Sequence, residues 1–275
     1  MPISVNRRIC VALASFALLT SAMSGEPVPV RHVRGFIHGF VVLKDLDNKI
    51  LASGHVTQLP AGNRITNIFI LHFKDGSLYQ ETSVFSQRRT FQLLTYKQIQ
   101  KGPSFKTAAT LSFDTSTGNV NIEYIDKDGK AKNISDHLPL PPDLANGLVP
   151  TVLTDIDPKV ETTLSMLVST PKPRVVKLKI SASEQDSFSV GGLKSKATHY
   201  IIKVDIGGVT GVAAKVVGKQ PPPVHAWVAP GDAPVFLRLD GPLFEDGPIW
   251  RIELASPVWS TDSPSAVPLN SPQSR

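Results

Sequence analysis

Cysteine is almost missing from this 275-residue chain: there is one, Cys10, close to the amino terminus. The remainder can have no disulfide framework, thiol nucleophile or thiolate metal site. Charge is also sparse, with Asp, Glu, Lys and Arg at 19%, and aromatic residues reach only 7%. With no basic helix and no stacked-aromatic motif, nucleic-acid recognition has no basis. The longest apolar run near the start, CVALASFALL from Cys10 to Leu19, is too short for the roughly 20 residues of a membrane-spanning helix. HExxH, GxSxG, GxGxxG and EF-hand patterns are absent. Gly218-Lys219 imitates the end of a phosphate loop, but Ala213 stands where a glycine belongs and Gln220 where Ser or Thr is needed.

What is present points to an exported β protein. Hydrophobic residues make up 41%, enough for a core, and 23 prolines with 19 glycines imply many turns and strand ends. Arg7-Arg8, the apolar run and the small residues of Ala22-Met23-Ser24 form a signal peptide, with cleavage expected after Ser24. Losing Arg7 and Arg8 lowers the formal charge from +6 to +4. The spacing divides the chain into a signal peptide at 1–24, a leader at 25–35, one β-rich domain at 36–259 and a disordered Ser/Pro-rich tail at 260–275. The expected location is the periplasm or the outside of the cell.

Alternating and β-branched stretches predict strands near 36–45, 49–59, 64–74, 78–86, 109–114 and 120–125, and a helix or strand over 89–100 whose residue types favour strand, joined by turns such as Asp47-Asn48, Asp75-Gly76 and Asp126–Gly129. Pairing Leu46 with Lys49 and Leu59 with Arg64 sends Ile37, Val41, Leu43, Ile50, Ala52, Val56, Phe69, Leu71 and Phe73 to a core face. Gly54 falls on that face opposite Val41 and Phe69. Leu144, Leu148, Val152 and Ile156, spaced every four residues, predict a buried helix within 138–158, entered at Pro141-Pro142 and kinked at Pro150. Alternation resumes at Val176–Ile180, Tyr200–Ile206, Val224–Val228 and Trp250–Leu254. Gly207–Pro223 between them is glycine-hinged and apolar, a short helix or a flap. The fold class is mainly β: an antiparallel meander curled as an unclosed half-barrel around one central kinked helix.

Chemistry-bearing residues are few. His38, His55 and His72 share one face in this register, with His55 and His72 too far apart along the sheet to share a metal, and His199, Lys203 and Asp205 form the polar half of one alternating strand. Solvated strand positions account for both sets. No catalytic residue, metal ligand or cofactor is assigned. The apolar inner faces together form a candidate ligand surface: Val41, Phe69, Leu71, Leu148, Val152, Ile202, Val204, Trp250 and Ile252. Arg89, Lys194 and Lys196 form a candidate basic rim for an anionic head group.

The exported cysteine-free meander, the Pro-Pro-Asp-Leu-Ala segment midway and the long alternating strands ending in HAWVAPGDAPVFLRLDGPLFEDGPIWRIEL resemble exported bacterial β proteins similar to the lipoprotein carriers LolA and LolB. The resemblance covers roughly residues 36–259. It implies a sheet curled around a helix with a greasy concave interior, which in the carriers holds acyl chains. A lipid or acyl-chain ligand is the expectation that follows. A filled interior in a structural or partner-binding envelope protein is the alternative.

Overall fold

The computed structural model describes residues 25–169, 172–190, 193–206 and 221–255; the side chains of residues 189, 190 and 193–195 are not among those described. Residues 1–24, read above as a signal peptide, residues 207–220 of the glycine-hinged segment and the expected tail at 260–275 lie outside the described residues.

The described chain forms β1 (Ile37–Lys44), β2 (Ile50–Ala61), β3 (Arg64–Phe73), β4 (Leu78–Gln87), β5 (Phe91–Lys101), β6 (Ala109–Asp114), β7 (Asn119–Ile125), β8 (Ala131–His137), α1 (Val149–Val152), β9 (Thr162–Val168), β10 (Arg174–Val190), β11 (Leu193–Asp205), β12 (Val224–Ala229), β13 (Val235–Gly241) and β14 (Trp250–Leu254). All fourteen strands join one antiparallel sheet in the order β8 to β1, then β14 back to β9. Every neighbour is also a neighbour in sequence except at the β1–β14 seam, where Val41 faces Leu254 and Leu43 faces Ile252. The sheet does not close, and β8 and β9 are its edges.

The expected sheet faces hold except at Ile50, which a bulge after Leu43 pairs with Lys44 and turns to the exposed outer side. β1 and β2 pair as expected, with Val41 opposite Gly54. β2 and β3 pair two residues away from the expected register, with Ala61 rather than Leu59 opposite Arg64. A slip of two leaves every side chain on its expected face, because the strand period is two. It does move Gly54 opposite Leu71, where a Cβ would stand 1.7 Å from the Ile70 carbonyl oxygen. That glycine serves close strand approach and does not open a space.

The segment linking the two sheet edges is the plug of the half-barrel. Leu144, Leu148, Val152 and Ile156 are all buried, as their spacing predicts, yet only Val149–Val152 is helical. Gly147, at φ +67°, breaks the helix, and Pro150 lies in its first turn and helps to start it. Asp143 therefore does not stand at a helix start. With Asn146 it docks on the β9 edge. Asn146 exchanges two hydrogen bonds of 2.9 Å with the Leu167 backbone, and Ala145 donates to the Ser165 carbonyl at 2.8 Å. Asp143 accepts from Ser165 Oγ at 2.8 Å. Edge β9 is thus covered, while β8 presents the mostly exposed polar sequence AKNISDH, which discourages edge-to-edge association.

Two apolar cores fill the concavity. One packs the plug residues Leu144, Leu148, Val152, Leu153 and Ile156 against β3–β7 on one side and β9–β12 on the other. The second joins Val41, Leu43, Leu71, Phe73, Tyr79, Phe105, Trp250 and Ile252 at the opposite end of β1–β4 and β14. The leader is a strap across the plug. Val28 is buried and Pro29 bridges Thr90. Asp155 Oδ1 accepts the backbone N–H groups of Arg31 at 2.6 Å and His32 at 2.7 Å. Its Oδ2 takes the Arg34 guanidinium, which also reaches Thr154 Oγ1 and, at 3.1 Å, the Thr151 carbonyl. Gln87 closes the clamp by exchanging hydrogen bonds with the Arg34 backbone at 2.7 and 2.9 Å.

The Asp155 side chain has no solvent access and that of Arg34 is only 11% exposed. Asp155→Ala leaves a buried guanidinium without its counter-ion and is expected to cost about 3–5 kcal/mol. Leu148→Ala is expected to cost about 2–5 kcal/mol through the cavity it leaves. Urea midpoints measure both; an unchanged midpoint for Asp155→Ala would show that strap and plug are not tied in this way.

Candidate functional site

The inner faces of β2, β3, β4 and β5 carry three successive cross-strand rows. The first runs Gln58, Asn67, Ser83, Tyr96, the second Val56, Phe69, Glu81, Gln98, and the third Gly54, Leu71, Tyr79, Gln100. The first row is buried beneath the plug: Gln58 Nε2 donates to Thr151 Oγ1 at 3.3 Å, and a Cβ on Gly147 would touch Tyr96 and Ser83. The third row enters the second core through Leu71 and Tyr79. The middle row belongs to neither end, and all four of its side chains are only half-buried although they face inward. Gly39 adds no side chain beside it; Val56 and Leu254 lie 3.5 and 3.8 Å from where its Cβ would be.

Glu81 is the chemical centre of this row. Tyr96 Oη donates to Glu81 Oε1 at 2.6 Å and Tyr79 Oη donates to the same oxygen at 2.8 Å. Among the described residues, no hydrogen bond reaches Oε2. Glu81 lies on the inner face of the sheet between the plug core and the second core, where burial desolvates the carboxyl. That desolvation raises its pKa above the ordinary value, and the two tyrosine hydrogen bonds only partly oppose the shift. Burial, and then the charge of Glu81, push both phenols well above their usual range. In the adjoining row Gln58 Oε1, Asn67 Oδ1 and Ser83 Oγ are buried with no hydrogen-bond partner. Unpaired buried polar atoms are costly, and three of them lie in this one row beside Glu81.

The candidate ligand residues do not form one surface. Val41, Leu71, Trp250 and Ile252 pack in the second core, with Phe69 at its margin. Leu148, Val152 and Ile202 pack in the plug core, with Val204 at its margin. Phe69 is the one member of that set on the half-open row. Arg89 is exposed in the β4–β5 turn beside the strap, where its carbonyl accepts from Val30 at 2.9 Å, and Lys196 is exposed on β11. The side chain of Lys194 is outside the described ones. Surface depressions of about 490 and 450 Å³ lie elsewhere, over Thr82, Lys97, Ser112 and Asn121 and beside the strap.

On the outer face, His38 and His55 stack with ring centroids 5.4 Å apart, while His72 pairs in register with Ser53, two residues from the position opposite His55. Among the described residues no three His, Cys, Asp or Glu side chains are placed to hold a metal ion. His199, Lys203 and Asp205 do not act together. Asp205 ion-pairs with Lys179 at 2.8 Å, whereas His199 meets His225 at 2.8 Å and stacks on Trp227 at 4.6 Å. Arg238 covers the other face of Trp227 at 4.4 Å and pairs with Asp240. With both indole faces occupied, this cluster fastens β11, β12 and β13 to one another. Burial lowers the His199 pKa, opposed by Asp186.

Sequence reasoning missed Glu81 and the polar row beside it. The available signal was polar residues at inward positions, Gln58, Asn67, Glu81 and Ser83, on strands most of whose other inward positions are apolar. A raised carboxyl pKa means that the stability tied to protonated Glu81 is present below its ordinary value of 4.5 and is lost as pH rises through the raised one. Glu81→Gln removes this dependence. The urea midpoints of wild type and Glu81→Gln should converge near pH 4 and separate toward neutrality, with the variant the more stable; a pH-independent difference would contradict the desolvated carboxyl.

No protein-family model matches the chain, and a search of characterised proteins gives no significant match. Among solved structures, the crystal structure of a beta-barrel-like protein of a domain of unknown function, DUF1849, from Brucella abortus is similar at 8% identity and a TM-score of 0.44, over 82% of this chain and 98% of that one.

Proposed function

We propose that this chain is an exported half-barrel that binds an amphiphilic, lipid-like ligand in its concave interior. One observation carries the reading: a half-open inward row, apolar at Val56 and Phe69 and polar at Glu81 and Gln98, lies between two filled cores and beside a row with three unpartnered polar side-chain atoms. An apolar chain along Val56, Phe69 and Leu254 would gain about 0.8 kcal/mol per buried methylene, before ordering costs. The free Oε2 of Glu81 calls for a hydrogen-bond donor, so the favoured head is a hydroxyl or a protonated amine. A carboxylate head would face Glu81 with like charge. This differs from an anionic head held at a basic rim. Export rests on the Arg7-Arg8, Cys10–Leu19 and Ala22–Ser24 signal, and among the described residues no helix is long and apolar enough to cross a membrane.

Calorimetric titration of the delipidated protein with decylamine, decanol and decanoate, each below micelle formation, tests the proposal. Decylamine and decanol should bind at micromolar levels and decanoate at least about tenfold more weakly, a difference of about 1.4 kcal/mol. Glu81→Gln should weaken decylamine about tenfold and leave decanol nearly unchanged, and Phe69→Arg should weaken all. Absence of binding by any of the three would favour a structural envelope protein whose interior is filled by its own plug.

A further inference from the structure

The structure assigns a second role to the cleaved amino terminus: we infer that the α-ammonium of Gly25, released by removal of residues 1–24, docks as an internal counter-ion on the buried carboxylate of Asp143. The inference rests on the export reading above and is independent of any ligand.

Two separate lines meet at this residue. The small residues before Gly25 mark it as the first of the mature chain. The fold, for different reasons, brings its backbone against Asp143 on the plug. A Cβ on Gly25 would stand 2.2 Å from Asp143 Oδ2 and 2.3 Å from the Thr163 carbonyl oxygen, so no larger residue fits there. The nitrogen of any residue lies about 2.5 Å from its Cβ, which puts the Gly25 nitrogen within about 5 Å of both oxygens.

Asp143 needs such a partner. The residue is 2% exposed, and its Oδ2 takes Ser165 Oγ at 2.8 Å and Lys177 Nζ at 3.4 Å. Its Oδ1 is buried with no hydrogen-bond partner among the described residues. Lys177 is divided, lying closer to Ser165 Oγ at 2.7 Å than to the carboxylate. A peptide N–H offers one donor, whereas a terminal ammonium offers three and a full charge, enough for Oδ1 and the Thr163 carbonyl together. Gly25 also lines a depression of about 450 Å³ with Glu26, Arg31, Val160 and Glu161, so the terminus is open to solvent on one side while the carboxylate it meets is not. Because Asp143 anchors the plug to edge β9, removal of residues 1–24 would complete the fold at the place where the sheet is open.

The test begins with amino-terminal sequencing of the exported full-length protein, where Gly25 is expected as the first residue. Proteins beginning at Gly25, at Ser24, and at an N-acetylated Gly25 are then compared by urea denaturation in the natural and Asp143→Asn backgrounds. Extension by Ser24 should lower the folded-to-unfolded ratio about tenfold or more in the natural background and about twofold or less in Asp143→Asn. Acetylation, which removes the charge and keeps Asp143, should match the extension and covers the case in which Asp143→Asn does not fold. If the exported chain begins elsewhere the inference falls and export stands; if residues 1–24 are never removed both fall. If the chain begins at Gly25 but extension and acetylation leave the midpoint unchanged, the inference alone is overturned.

Discussion

The rest of the structure depends on a buried carboxylate, Asp155, gripped from three sides. Its two oxygens take two backbone N–H groups and the guanidinium of the strap, and that guanidinium also satisfies the carbonyl of Thr151 at the end of the short helix. A four-residue helix has almost no intrinsic stability. It holds because apolar side chains press it between the two halves of the sheet and because Asp155 and Asn146 fasten its two ends. Burial lowers the pKa of Arg34, and the neighbouring Asp155 opposes the shift, so each ion makes the burial of the other tolerable.

An open sheet has two problems, unpaired edges and an interior that must be filled. The chain solves most of both with one segment. Residues 143–146 cover edge β9 with backbone hydrogen bonds, and residues 144–156 fill the nearer part of the concavity. The farther part is filled from the other end by Phe105, Leu243 and Phe244. Filling from both ends leaves the middle row of β2–β5 uncovered. That row lies where neither the plug nor the second core reaches, and it is there that a carboxyl, two phenols and three unpartnered polar atoms gather.

The strand faces and the half-barrel were legible because alternation has a period of two, and a register error of two residues between β2 and β3 does not alter which side chains point inward. β8, β9 and β13 were not read as strands. AKNISDH is an exposed edge with no apolar alternation, TTLSMLV owes its burial to the plug, and VFLRLDG carries a bulge opposite Trp227 and Val228 that interrupts the period. The four-residue spacing of Leu144, Leu148, Val152 and Ile156 identified the buried side chains but not the conformation: turns at Gly147 and beyond Leu153 bring them inward as well as a helix would. The site was the least legible part. Tyr79 and Glu81 share a strand, but Tyr96 comes from β5 and the unpartnered atoms from β2, β3 and β4, so the grouping exists only through the register.

The central claim is that the middle row is a ligand surface and not an unused gap. Isotope-filtered NMR on the protein with bound decylamine tests it most directly, by through-space contacts between ligand protons and assigned side chains. The account predicts contacts from the alkyl chain to Val56, Phe69 and Leu254 and from the carbon beside the nitrogen to the rings of Tyr79 and Tyr96. Contacts confined to outer-face residues such as His225 or Phe40, with none to the inward row, would contradict it.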